Sequence, residues 1–123
     1  MTDPVVPTGV DHVAINVGDV PGGIAFYTEK IGLVRNTSRP DFGFPGAWLD
    51  TAGGQQVHLI EAPVPTNLGQ HFALAFDDLD AAVTELRARG LQVSDPSAVG
   101  TTGRHQAFTI DPWGNAIELH QRA

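Results

Sequence analysis

The apolar positions of this chain change period along its length, and the changes come twice. Over 10–17 they alternate, so Val13, Ile15 and Val17 share one face of a strand and His12, Ala14 and Asn16 the other. Asp19 then reads as a helix N-cap with Pro21 in the first turn. Val20, Ile24, Tyr27 and Ile31 recur at helical spacing, and Gly32 closes the helix. A second strand is expected over 33–39, ended by Pro40, and a third over 46–50. Ala52-Gly53-Gly54 supplies a tight hairpin turn. A fourth strand over 55–61 places Val57 and Leu59 on one face and Gln56, His58 and Ile60 on the other. Residues 62–69 hold Pro63 and Pro65 and read as an extended linker.

After the linker the pattern starts again. Phe72, Leu74 and Phe76 form an apolar strand face opposite His71, Ala73 and Ala75. Asp77 or Asp78 caps a helix whose stripe is Leu79, Val83 and Leu86, and Gly90 ends it. Strands are expected over 91–94, 104–110 and 115–120. Asp111-Pro112-Trp113-Gly114 fits a type I turn between the last two. In the last strand Ile117 and Leu119 share a face, opposite Ala116, Glu118 and His120. His12 maps on His71 and Asp19 on Asp78, each 59 residues on.

The repeat predicts an α+β fold of two βαβββ modules. The first covers 9–61 and the second 70–123, joined by 62–69 and preceded by a loose tail over 1–8. The modules are expected to form one compact domain with pseudo-twofold symmetry. Their apolar strand faces lie under the helices, and the opposite faces form a curved mixed sheet around a shared concavity.

Composition narrows the chemistry. The 123 residues contain no cysteine, which excludes disulfides, thiolate metal sites and a catalytic thiol. Seven basic against fourteen acidic residues give a formal charge of −7, and the single lysine and scattered arginines make no phosphate-binding patch. No nucleic-acid partner is therefore expected. No apolar run approaches the roughly 20 residues that span a bilayer, and the start has no leader-like segment. A cytoplasmic protein without membrane contact is the expectation.

The repeat brings four candidate ligands to equivalent places: His12 and His71 open the first strand of each module, and His58 and Glu118 sit in the last. All four have the parity of the face opposite the helices. Three imidazoles and a carboxylate suit Zn, Ni, Co, Mn or Fe. The plain alternative is that these groups hydrogen-bond one another as buried structural pairs. Arg39 and Arg104 are candidates to clamp an anionic substrate, or else are solvated surface arginines. Trp48 and Phe108 are candidate pocket walls, and Asn16 and Gln56 candidate substrate contacts. His120, close to the C-terminus, is expected to be solvated, and His105 has no assigned role.

The βαβββ repeat resembles the vicinal oxygen chelate superfamily, which includes glyoxalase I, extradiol dioxygenases, fosfomycin-resistance proteins, methylmalonyl-CoA epimerase and bleomycin-resistance proteins. The resemblance is carried by His12-Val13-Ala14-Ile15, Phe26-Tyr27, Gly32-Leu33 and the stretch from Asp111 to Leu119. It implies that His12, His71 and Glu118 form the His-His-Glu metal set of the dioxygenases and fosfomycin-resistance enzymes. His58 falls where glyoxalase I has a glutamate and the epimerase a glutamine. That departure argues against the standard glyoxalase I proton shuttle and leaves Glu118 and His58 as the candidate catalytic pair.

The resemblance further implies a divalent-metal enzyme of lyase, isomerase or dioxygenase type. Its substrate would be a small molecule that chelates the metal through vicinal oxygens. A homodimer with sites shared between subunits is implied as well. The alternative it implies is a metal-free protein that sequesters a small molecule, as bleomycin-resistance proteins do.

Overall fold

A computed structural model describes residues 5–123; residues 1–4, the start of the expected tail, lie outside the described residues. The chain forms β1 (His12–Val17), a helix, β2 (Val34–Asn36), β3 (Gly46–Asp50) and β4 (Gln56–Glu61). It then repeats with β5 (His71–Ala75), α2 (Leu79–Ala88), β6 (Ser97–Ala98), β7 (His105–Ile110) and β8 (Ala116–Gln121). The strands make two four-stranded sheets, ordered β1-β4-β3-β2 and β5-β8-β7-β6. Each is mixed: β1 runs parallel to β4 and β5 parallel to β8, and the remaining pairs are antiparallel. This is the α+β architecture of paired βαβββ modules that the repeat predicts. Among the described residues no ladder joins β1 to β5, so the two sheets meet without fusing.

Burial follows the alternation. Val57 and Leu59 of β4, and Ile117 and Leu119 of β8, are at most 1% exposed and join one apolar cluster under the helices. Their neighbours Gln56, His58, Glu118 and His120 point to the other face, because successive strand side chains alternate.

The first helix starts as α1 (Val20–Ala25) and continues in π-helical turns over Phe26–Ile31. Asp19 caps its N-terminus, accepting from Gly22 N, and Asp78 does the same for α2 from Ala81 N. Within the first helix the Thr28 hydroxyl donates to Ile24 O at 2.7 Å, as the Thr84 hydroxyl does to Asp80 O in the regular helix α2. Gly32 then ends the helix at φ 99°, a left-handed conformation costly for any residue with a Cβ. Gly23 packs closely on the core: a Cβ there would meet Leu59 Cδ1 at 2.9 Å and the buried leucine would have to shift.

The repeat extends to individual hydrogen bonds. Val20 N donates to Glu61 Oε1 and Leu79 N to Gln121 Oε1, so the final strand of each module caps its own helix. At the far helix ends Lys30 Nζ donates to Arg89 O and Arg89 Nη1 donates to Lys30 O. A polar anchor also ties the modules together. Tyr27, fully buried, donates its hydroxyl to Asp111 Oδ2 at 2.7 Å, and burial together with that carboxylate pushes the phenol pKa far up. Asp111 also accepts from Trp113 N, Asn115 N and Asn115 Nδ2, and Asn115 Nδ2 donates to Asn16 O.

Two strands differ from expectation. The strand predicted over 33–39 shortens to Val34–Asn36, because Asn36 Oδ1 accepts from Ser38 N and turns the chain. The strand predicted over 91–94 does not form, and its place in the sheet is taken by Ser97–Ala98. There the Ser94 hydroxyl accepts from Phe108 N, so a side chain stands in for one ladder carbonyl, and Pro96 follows at once.

Candidate metal centre

The first half of the site lies on β1, β3 and β4. Register sets His12 level with Gln56, and both Ala14 and Trp48 level with His58. His58 is therefore sandwiched. Its ring stacks on His12 with centroids 4.0 Å apart and planes 15° apart, and on Trp48 at 4.8 Å and 11°. Asp11 Oδ1 lies 2.8 Å from His12 Nδ1, which places the ring proton there and leaves Nε2 with its lone pair.

A chain of polar groups orients His58. Gln56 Nε2 donates to Asp50 Oδ1 at 2.8 Å, which turns the Gln56 carbonyl toward His58 Nε2, also at 2.8 Å. His58 Nε2 is thus the protonated nitrogen. Burial, then the neighbouring His12, hold the His58 pKa below the usual imidazole range; Arg39 adds to this and Asp11 opposes it.

The second half lies on β5, β7 and β8. His71 Nε2 faces Glu118 Oε1 at 3.2 Å. His71 Nδ1 donates to Gly69 O at 2.9 Å. That carbonyl bond raises the His71 pKa, Glu118 adds to the rise, and desolvation works against it. Glu118 Oε2 accepts from His120 Nδ1 at 2.7 Å, and His120 Nε2 lies 3.4 Å from Arg104 Nη1. Phe108 meets His71 edge-on at 5.7 Å. Ala73, level with Glu118, and Ala75, level with His120, keep this face clear of bulk.

The expectation that His120 is solvated is overturned. Its side chain is 16% exposed and it holds the Glu118 carboxylate, itself 12% exposed. The signal was in the alternation, which puts residues 118 and 120 on one face. Asn16 donates its amide to Pro63 O in the linker and lines a cavity together with Val13, Ile15 and His71. Gln56 is engaged by Asp50 and His58. Arg39 donates to Phe44 O and lies over the rings of Phe42 and Phe44. His105 is exposed.

With the Nδ1 proton of His71 committed to Gly69, two lone-pair atoms, Nε2 and Oε1, face each other, a pairing that calls for a proton or a cation between them. Two donors about 2.0–2.2 Å from one ion, at tetrahedral or octahedral angles, are separated by roughly 2.9–3.5 Å. The 3.2 Å pair falls in that range. The backbone carbonyl behind His71 and the imidazole behind Glu118 are the outer partners that metal ligands usually have.

The first half differs. Lone pairs of imidazole lie in the ring plane, and planes only 15° apart and stacked cannot both pass through one ion. In this conformation the half offers His12 alone, and His58 joins only by rotating off Gln56. His12 and His71 line one groove between the sheets. Among the described residues, no three His, Asp or Glu side chains of a single chain converge as a cage.

The same residues were then set beside known proteins. A family model described as Glyoxalase/Bleomycin resistance protein/Dioxygenase superfamily matches residues 9–119. The chain is 33% identical to a probable lactoylglutathione lyase of Vibrio parahaemolyticus, covering 89% of this chain and 88% of that one. It is 32% identical to a lactoylglutathione lyase of Arabidopsis thaliana, covering 90% of this chain but 43% of the plant protein, so it spans less than half that relative's length. Among solved structures, an antibiotic binding protein from a Streptomyces species superimposes with a TM-score of 0.80 at 26% identity, covering 98% of this chain and 100% of that one. The match over nearly the whole length, on the fold described above, places this chain in the glyoxalase/bleomycin resistance protein/dioxygenase superfamily.

Proposed function

We propose that this chain is a divalent-metal-dependent enzyme whose small substrate chelates the metal through two neighbouring oxygens, in a reaction of lyase, isomerase or dioxygenase type. The names of the lyase relatives favour the first two. The observation that carries the reading is the His71–Glu118 pair, 3.2 Å apart, each member held from behind.

His12, His71 and Glu118 would hold the ion, with Zn, Ni, Co, Mn and Fe all suited to the donors. When bound, the ion supplies Lewis acidity toward substrate oxygens. The chain supplies the rest. His120 and Arg104 keep Glu118 Oε2 occupied, which leaves Oε1 as the inward atom. His58 is kept neutral by burial and by His12, with an unprotonated Nδ1, so it can take a proton from bound substrate near neutral pH. Trp48 fixes the plane of that ring. No helix among the described residues is long and apolar enough to cross a membrane, and a small-molecule substrate suits a groove of this kind.

The arrangement within one chain, as two ligand pairs on two sheets, supports a homodimer in which His12 and His58 of one copy meet His71 and Glu118 of the other. The rival is a metal-free binding protein, favoured by the likeness to an antibiotic binding protein. Metal analysis separates them. A stoichiometric ion that is lost in His71→Ala and Glu118→Gln supports the enzyme. Protein that takes up none of Zn, Ni, Co, Mn or Fe(II) when offered would sink it.

A further inference from the structure

Five rings stand in file along the first sheet, from solvent to His12. Phe44 and Phe42 are stacked at 5.9 Å, Phe42 and Trp48 lie 6.3 Å apart with planes tilted by 44°, and Trp48 and His58 are stacked at 4.8 Å. His58 and His12 complete the file at 4.0 Å. The outer two rings are not core. Phe42 is 51% exposed and Phe44 46%, both on the loop between β2 and β3. Large aromatic rings left in water beside a site form an open stacking surface.

Arg39 marks the chemistry of what stacks there. Its guanidinium sits 5.0 Å from the Phe42 ring and 5.2 Å from the Phe44 ring, and one nitrogen donates to Phe44 O. Among the described residues no carboxylate pairs with it, in a chain of formal charge −7. A cation left unpaired on an acidic protein, with donors unspent and planar to match a carboxylate, is where an anion is admitted. Among the described residues the second sheet has no equivalent file, and Phe108 meets only His71.

We propose that Arg39, Phe42 and Trp48 form a subsite for a flat aromatic anion, a conjugated ring system bearing a carboxylate or phenolate. The ring stacks on the exposed Phe42 and the charge pairs with Arg39, while Trp48, tilted 44° from Phe42, borders the subsite on its inner side. The subsite names the substrate class of the proposed metal site and rests on that reading only for where the reacting oxygens go. It separates the chain from proteins that take flexible aliphatic ligands, since an aliphatic ring gains no stacking geometry from this file.

Calorimetric titration with 2-naphthoate, cyclohexanecarboxylate and the neutral 2-naphthalenemethanol tests it, with metal content measured on the same samples. Naphthoate should bind about tenfold more tightly than the aliphatic acid. Arg39→Gln should weaken naphthoate by about tenfold and leave the alcohol unchanged. Phe42→Ala, at an exposed position that the fold does not need, should weaken both naphthalene ligands. Naphthoate binding that is indifferent to both substitutions, or equal binding of the aliphatic acid, overturns the proposal whether or not metal is present. Binding that depends on Arg39 and Phe42 in protein that takes up none of the offered metals upholds the subsite and removes the metal centre instead.

Discussion

The two modules share a backbone plan and spend it on opposite things. Position for position, His12 matches His71, His58 matches Glu118, Trp48 matches Phe108 and Ile60 matches His120. In the first module these residues make a stack of rings, closed by Gln56 and Asp50. In the second they make a chain of charge and hydrogen bonds running Arg104, His120, Glu118, His71 and the Gly69 carbonyl. A repeat conserves where side chains point, because strand alternation is a property of the backbone. It does not conserve what they do. One half orders its side chains through hydrogen bonds between polar and charged groups, the other through stacked ring faces.

Substitutions can break this comparison, and the largest effect should come from the ligands. His71→Ala and Glu118→Gln should each weaken metal affinity by at least about a hundredfold, whereas His58→Ala should stay within about tenfold. Competition against a chelator of known affinity measures all three. Equal losses at positions 58 and 118 would mean that His58 turns out of its stack to coordinate, and that the halves are functionally alike.

Next in size is the outer partner. His120→Ala should cost about ten- to a hundredfold in metal affinity, and His120→Asn, whose amide can donate from nearly the place of Nδ1, should recover most of it. Ile60→Ala, at the matching place in the first module, should leave metal affinity unchanged.

Stability separates the modules by less. Tyr27 is matched by Leu86, so the first module alone anchors its helix through a buried hydroxyl. Tyr27→Phe leaves Asp111 short of one partner and should cost about 1–3 kcal/mol, read from denaturant melts. The smallest expected effect is a symmetric one. Gly32 and Gly90 end the two helices at φ 99° and 92°, and alanine at either should cost the same, about 1 kcal/mol.

What could be read from residues alone divides along physical lines. Strand faces, both caps, the helix stripes and the doubled βαβββ plan follow from period and short-range chemistry, and these appear in the fold. Features set by competition between a side chain and the backbone do not show in a periodicity. Asn36 cuts β2 short, and Ser94 takes the place of a ladder bond so that the sixth strand forms three residues later. Asp111 reads in sequence as a turn residue, yet its carboxylate is a buried junction of the modules, because Tyr27 is 84 residues away. The parity of the four candidate ligands was legible. Whether their rings stack or converge was not, since that depends on the rotations set by Asp11, Gln56 and Gly69.

The central claim is that an ion is held by one residue of the first module and two of the second, contributed by two copies of the chain. Co-expression of His12→Ala and Glu118→Gln chains carrying different tags, followed by isolation of the mixed dimer and metal analysis, tests it directly. One metal site of the mixed dimer would carry both substitutions and the other neither. The account predicts about one ion per mixed dimer, against two for the unaltered dimer and none for either variant alone. A mixed dimer without metal, or single variants that keep their full complement, would contradict it.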